Sequence, residues 1–233
     1  MKNTFAGFLL ALVLLTTGCE KDIFTGHNSG TFADNRDKQE YSWIRVGDQI
    51  WMAKNLAYLP DITPATTFSL NVAHNYVYGY TGTSVAEAKA LSAFKTYGAL
   101  YNYEAAKVVC PDGWHCPTDA EWKALETSLG MSQEDVEKTG PRVSGLLGDQ
   151  LKSATGWEGI ATGTNSSGFA VLPAGFIWLS GISEGVGSSA CFWTTTVEQG
   201  NKAWDRFFDG NSRGVDRSPY PKEDAYSVRC VKD

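Results

Sequence analysis

Residues 110–122 read CPDGWHCPTDAEW, and the way this stretch folds decides how the chain around it is arranged. Thr118 followed three residues later by Glu121 has the form of a capping box. The threonine hydroxyl accepts from the Glu121 amide, while the Glu121 carboxylate reaches back to the Thr118 amide. A helix therefore begins here. Pro117 and Trp122 occupy the two positions of a hydrophobic staple, and Trp122, Leu125 and Leu129 form one apolar stripe ending at Gly130. The competing reading of Cys110, His115 and Cys116 is a zinc site. Structural zinc takes closely spaced ligand pairs, whereas five residues separate Cys110 from Cys116 and His115 is adjacent to Cys116. The remaining histidines, His27 and His74, lie in polar segments. No metal site and no cofactor are expected, and His115 reads as a packed, hydrogen-bonded residue.

Working outward, the chain has 233 residues, a formal net charge of -6 and 42% apolar residues, which suits one ordinary globular domain. The 20 Lys and Arg are scattered among 26 Asp and Glu. A nucleic-acid partner needs a clustered basic face, so that class is excluded. There is no CxxC, HExxH or glycine-rich phosphate loop.

The first residues carry an export signal. Lys2 precedes the apolar run FAGFLLALVLL (5–15), and Thr16, Thr17 and Gly18 lead to Cys19. The run is too short to span a bilayer, which takes about 20 residues. Cys19 after Gly18 resembles a bacterial lipoprotein cleavage site, with Leu15 four places before the cysteine where such signals carry leucine three before. The resemblance implies a signal peptide over 1–18 and a lipidated Cys19 that ties the chain to the membrane. Glu20, Lys21 and Asp22 are similar to the acidic signal that sends lipoproteins of Bacteroides-like bacteria to the outer face of the outer membrane. Residues 19–40 are polar and aperiodic and read as a flexible tether, leaving 41–233 as the domain. Four further cysteines in an exported chain make disulfides the default, and four cysteines allow three connectivities.

Within the domain, SWIRV and QIWM flank Gly47-Asp48 as a hairpin. Ser84 to Glu87 has capping-box form and opens a helix through AEAKALSAFK, with Val85, Ala88, Leu91 and Phe94 on one face. Short helices are expected over 101–107 and from Ser132. After Gly156 the texture changes to GFAVLP, GFIW, CFWTTT, AWDRFF and AYSVRCV, which read as strands. Helices early and strands late give an α+β domain.

A family resemblance rests on these same segments. GDQIWMAKNL, YGALYNYEAA, CPDGWHCPTDAEWKAL, LKSATGW, NSSGFAVLPAGF, FWTTT and YSVRCVKD together resemble the Fibrobacter succinogenes major paralogous domain, in the family's order and over nearly everything after residue 42. An insert at 59–96 departs from the shorter family pattern. The PTDAEW helix and the RC terminus are also similar to the formylglycine-generating enzyme superfamily, which implies a C-type-lectin-like α+β fold with two or three helices and short twisted antiparallel strands. The family pattern has cysteines at Cys110 and Cys230, which implies that these two pair. Cys116 and Cys191 stand where the family is ordinarily apolar, and their joint appearance implies a second pair.

The resemblance implies a non-catalytic surface module that binds glycan or another surface protein. An enzyme similar to the formylglycine-generating enzymes and a structural subunit of a surface assembly are the alternatives. The former needs a late reactive cysteine pair, for which only Cys191 and Cys230 are available. The sequence lacks the Glu-Pro-Asn and Gln-Pro-Asp tripeptides of calcium-dependent lectins. For a ligand surface, Trp204, Asp205, Asp209, Asn211, Arg213, Asp216 and Arg217 mix an aromatic with charged residues beside glycine-containing turns.

Overall fold

The structure, a computed structural model, describes residues 23–26 and 28–233. The signal peptide and Cys19 lie outside the described residues. In chain order the elements are β1 (Ser29–Ala33), β2 (Glu40–Val46), β3 (Gln49–Met52), β4 (Asn75–Tyr76), α1 (Val85–Ala90), α2 (Ser92–Tyr97), β5 (Leu100–Tyr101), α3 (Tyr103–Ala106), β6 (Trp114–His115) and α4 (Asp119–Ser128). They continue with α5 (Gln133–Val136), β7 (Gly140–Arg142), α6 (Leu147–Leu151), β8 (Ala174–Ile177), β9 (Ser183–Val186), β10 (Ser189–Gln199), β11 (Lys202–Asp209), β12 (Val215–Arg217), β13 (Pro219–Pro221) and β14 (Val231–Lys232). The chain is α+β. One sheet runs β1-β2-β3-β14-β6, and a second runs β7-β12-β11-β10-β8-β9 with β13 also on β11. Most pairings are antiparallel, with β8 parallel to β10.

The expected hairpin is present. Val46 pairs with Gln49, and Gly47 at φ 57 supplies the left-handed backbone of a two-residue turn. Alternation along β2 then sends its side chains to two cores. Tyr41 and Trp43 face a core that holds Met52, Tyr101, Trp193 and Tyr226, while Ile44 and Val46 face another with Trp51, Trp122, Leu125, Phe169 and Phe192. β10 divides in the same way, Cys191 and Trp193 to the first core and Ala190 and Phe192 to the second.

Helix α4 starts as the sequence requires. The Glu121 amide donates to Thr118 Oγ1 at 3.2 Å and the Thr118 amide to Glu121 Oε2 at 2.7 Å. Asp119, Trp122 and Glu126 share a face at helical spacing and enter the interior. Trp122 packs 5.0 Å from Trp51. The two carboxylates meet three arginines of the second sheet. Arg142 and Arg206 both bind Glu126, at 2.7 and 2.6 Å, and Arg206 and Arg217 both bind Asp119 at 2.8 Å. Burial alone would raise the Asp119 pKa, but Arg217 and Arg206 hold it well below the usual carboxylate range.

Four expectations are corrected. Residues 29–33, placed in the tether, form β1 against β2 in register from Ser29–Ile44 to Ala33–Glu40. Burial of Phe24 beside Trp43, with ring centroids 5.0 Å apart, draws the chain in still earlier. The helix expected through AEAKALSAFK is two short helices, broken at Leu91 with ψ 145. Glu87 accepts from the Tyr80 hydroxyl rather than closing the box onto Ser84, whose amide donates to the Tyr80 oxygen. GFAVLP is largely irregular, because Ala170 is left-handed at φ 54. Finally, Cys110 is bonded to Cys230, but Cys116 and Cys191 are free, buried thiols. They fill the apolar positions as small hydrophobes, which is how buried free cysteine ordinarily packs.

Candidate functional site

Between α6 and β8, and again after β11, the backbone leaves regular structure. Its carbonyls must then be satisfied by something other than a ladder. Two buried cations do this. Lys152 is fully buried, and its ammonium donates to the carbonyls of Ala161, Asp209 and Ser212, the last two at 3.0 and 2.7 Å. Burial lowers its pKa and Asp149 opposes that shift. With three donors on three carbonyls, the group pins the loop after α6 to the loop after β11.

Arg229 does the same one step away. Its guanidinium donates to the carbonyls of Phe169 and Ala170 and, through Nε, to Asn55 Oδ1 at 2.9 Å. Burial pushes its pKa down to about 9, so it remains charged at neutral pH. Left-handed backbone at a non-glycine residue costs on the order of 1–3 kcal/mol. Here it is held at Ala170, whose amide also donates to Asn165 Oδ1 at 2.8 Å.

Backbone contacts complete the platform. The Ala161 amide donates to the Gly210 carbonyl at 2.8 Å, the Gly210 amide to Ser188, and the Gly148 amide to Arg213 at 2.9 Å. Gly159 faces the Gly210 carbonyl so closely that a Cβ would collide, and its φ of +112 also demands glycine. The surface so fixed presents Ile160, which is 92% exposed, with exposed Val143 and Leu146 at its margin. Asn211 and Arg213 are exposed beside it. Arg213 is paired to Asp149 at 2.6 Å.

The residues picked from sequence separate into three places. Asp209, Asn211 and Arg213 lie on this platform, and Asp209 Oδ1 accepts the Asn211 amide at 2.6 Å. Trp204 points to the α4 side, where the Arg217 guanidinium covers its ring at 3.7 Å. One face of the ring is therefore covered, which corrects the expectation that Trp204 lies open on a ligand surface. Asp205 is fully buried and is not a surface group, which is a second correction. Neither of its carboxylate oxygens has a hydrogen-bond partner among the described residues. Burial, and then Asp216, raise its pKa well above the usual range. Asp216 shares that sheet face with Phe207 and Asp205, since Asp216 pairs with Phe207 across the strands. Half-buried Trp178 and Tyr220, 5.9 Å apart, belong to the core on the same side.

The groups considered for catalysis are occupied. Cys230 is in the disulfide, and burial raises the thiol pKa of Cys116 and Cys191, so both stay protonated. His115 bonds Asp233 Oδ1 at 2.6 Å and Glu121 Oε1 at 2.7 Å. Burial would lower its pKa, but these two carboxylates hold it above the ordinary value.

Sequence reasoning missed Lys152 and Arg229. The available signal was a lone cation inside an otherwise buried run, LKS in LKSATGW and VRC in YSVRCV. A charge in such a place must be satisfied internally.

No curated protein and no solved structure matches the chain. One family model does, the Fibrobacter succinogenes major domain, over residues 44–232. That span runs from the hairpin through β14 and contains both buried cations and both disulfide cysteines. The chain belongs to the Fibrobacter succinogenes major domain family.

Proposed function

We propose that this chain is a lipid-anchored bacterial surface protein, carried on the outer membrane, whose domain is a non-catalytic binding module with the Lys152 platform as its ligand surface. The observation that carries the reading is the use of two buried cations and a left-handed alanine to hold irregular loops in one shape. Burying charge without a carboxylate partner is costly. A solvated connector does not require it, whereas a recognition surface on rigid support does. The platform exposes Ile160 and Arg213 without an exposed aromatic ring, which suits a protein partner better than a stacked sugar. A glycan ligand is the second reading, favoured by half-buried Trp178 and Tyr220 beside Asp216 and Ser218. The C-type-lectin-like arrangement belongs to the same proposal and is supported by the α+β content and by β14 lying between β3 and β6. Against formylglycine-type chemistry stands the Cys110–Cys230 bond, which removes one member of the late cysteine pair.

A photo-crosslinking residue at position 160 or 211, expressed on whole cells, should give a discrete adduct that Arg213→Glu weakens. The same residue at position 89 should give none. A glycan array probed with the soluble protein tests the second reading. Equal labelling from every position, together with a silent array, would overturn the binding-module proposal, as would conversion of a peptide cysteine to an aldehyde.

A further inference from the structure

The expected tether is short, and this fixes which side of the domain meets the membrane. Phe24 packs against Trp43, Trp114 and Phe32, with centroids 5.0, 5.7 and 6.4 Å apart. Its carbonyl accepts from Arg45 at 2.9 Å. Phe32 of β1 stacks on Trp114 of β6 at 4.7 Å, although these strands are the two edges of the first sheet. The sheet therefore curls until its edges nearly meet. A groove of about 350 Å³ remains there, lined by Ile23, Phe24, Phe32, Trp114, Arg36 and Lys232 among others. Ile23 is 42% exposed, and Lys232 Nζ lies 4.9 Å from the Phe24 ring centroid.

We infer that this groove is a membrane-docking surface whose occupant is the headgroup zone of the bilayer that carries the lipidated Cys19. The inference rests on the lipid anchor proposed above. Only Glu20, Lys21 and Asp22 separate Cys19 from Ile23. Four residue steps span at most about 14 Å even when fully extended, so the groove cannot stand off from the acylated residue by more than that. The chemistry of the rim fits the place. Half-buried Phe24 and Phe32 offer an apolar edge to the acyl boundary, and Lys232 beside them offers a cation to anionic headgroups. The Lys152 platform then faces outward. Phe24 lies against Trp43, in the core on one side of the first sheet, whereas Phe169 of the platform lies 5.7 Å from Trp51 in the core on the other side.

The test uses the mature protein from cells, with Cys19 acylation established by mass spectrometry, reconstituted into phosphatidylethanolamine–phosphatidylglycerol vesicles. A nitroxide is placed on a cysteine introduced at exposed Asn35, on the groove, or at Asn211, on the platform. The buried thiols of Cys116 and Cys191 leave the introduced cysteine as the reactive one. The Asn35 label should be several-fold less accessible to an aqueous nickel chelate than the Asn211 label, and more accessible to oxygen. Equal accessibility in acylated protein would overturn the docking surface while leaving the anchor intact. Absence of an acyl group on Cys19 would overturn both. Concentration-dependent shielding of Asn35 without vesicles would assign the groove to a second copy of the chain and likewise refute the proposal.

Discussion

Asp205 shows how one residue can be read correctly as unusual and wrongly as exposed. The aspartate stands between a tryptophan and an arginine in AWDRFF, where strand alternation sends it to one face and its neighbours to the other. In the folded chain its carboxyl is buried and unpartnered, so the neutral form is favoured. The sign of the pH effect follows. A folded-state pKa above the unfolded value of about 3.9 means that stability from this group is fully present below pH about 4 and is lost as pH rises toward the folded pKa. Asp205→Asn, which has no proton to lose, should flatten this part of the urea-midpoint profile and should be the more stable form at pH 7. Each unit of upward shift corresponds to about 1.4 kcal/mol. A parallel pair of pH profiles would contradict this account. The Arg217 stack makes Trp204→Ala destabilising by about 1–2 kcal/mol, read from chemical denaturation, and leaves ligand binding at the platform unaltered.

At the scale of elements, the platform depends on a charge rather than on packing. Lys152→Met keeps the length and apolar stem of the side chain but leaves the Ala161, Asp209 and Ser212 carbonyls without their donor. An unsatisfied buried group costs about 1–3 kcal/mol, so a loss of at least about 2 kcal/mol is expected. Amide exchange should accelerate selectively at Ala161 and Gly210, whose backbone bonds join the two loops. Uniform acceleration across α4 and β10 would instead show that Lys152 supports the global fold. The same contrast explains what could be read from the sequence. The capped helix at Thr118 and the Gly47-Asp48 hairpin were legible because each is determined by residues within a few positions of one another. The helix break at Leu91, with ψ 145, falls in a run without Gly or Pro to announce it. The Asp119–Glu126 network depends on arginines 16 to 98 residues away. The platform was half legible: Asn211 and Arg213 could be seen beside glycine turns, but the cation beneath them could not be assigned without knowing which carbonyls converge on it.

At the scale of the whole molecule, the Cys110–Cys230 bond ties the segment before α4 to the strand that closes the first sheet, across a sequence separation of 120. The closed loop spans β6, α4 and the entire second sheet, so cutting it releases that whole span in the unfolded state. In the chain-entropy description a loop of this length corresponds to about 4–5 kcal/mol. The double change Cys110→Ser with Cys230→Ser should lower stability by that order, measured by urea unfolding without reductant. Thiol counting separates this bond from the alternative pairings. With Cys19 counted apart, native protein should show no thiol reactive to a water-soluble reagent, because Cys116 and Cys191 are buried and held protonated. Unfolding without reductant should release two reactive thiols, and unfolding with reductant four. If unfolding without reductant releases none, Cys116 and Cys191 are bonded to each other after all. In that case the first core is cross-linked rather than packed at those positions.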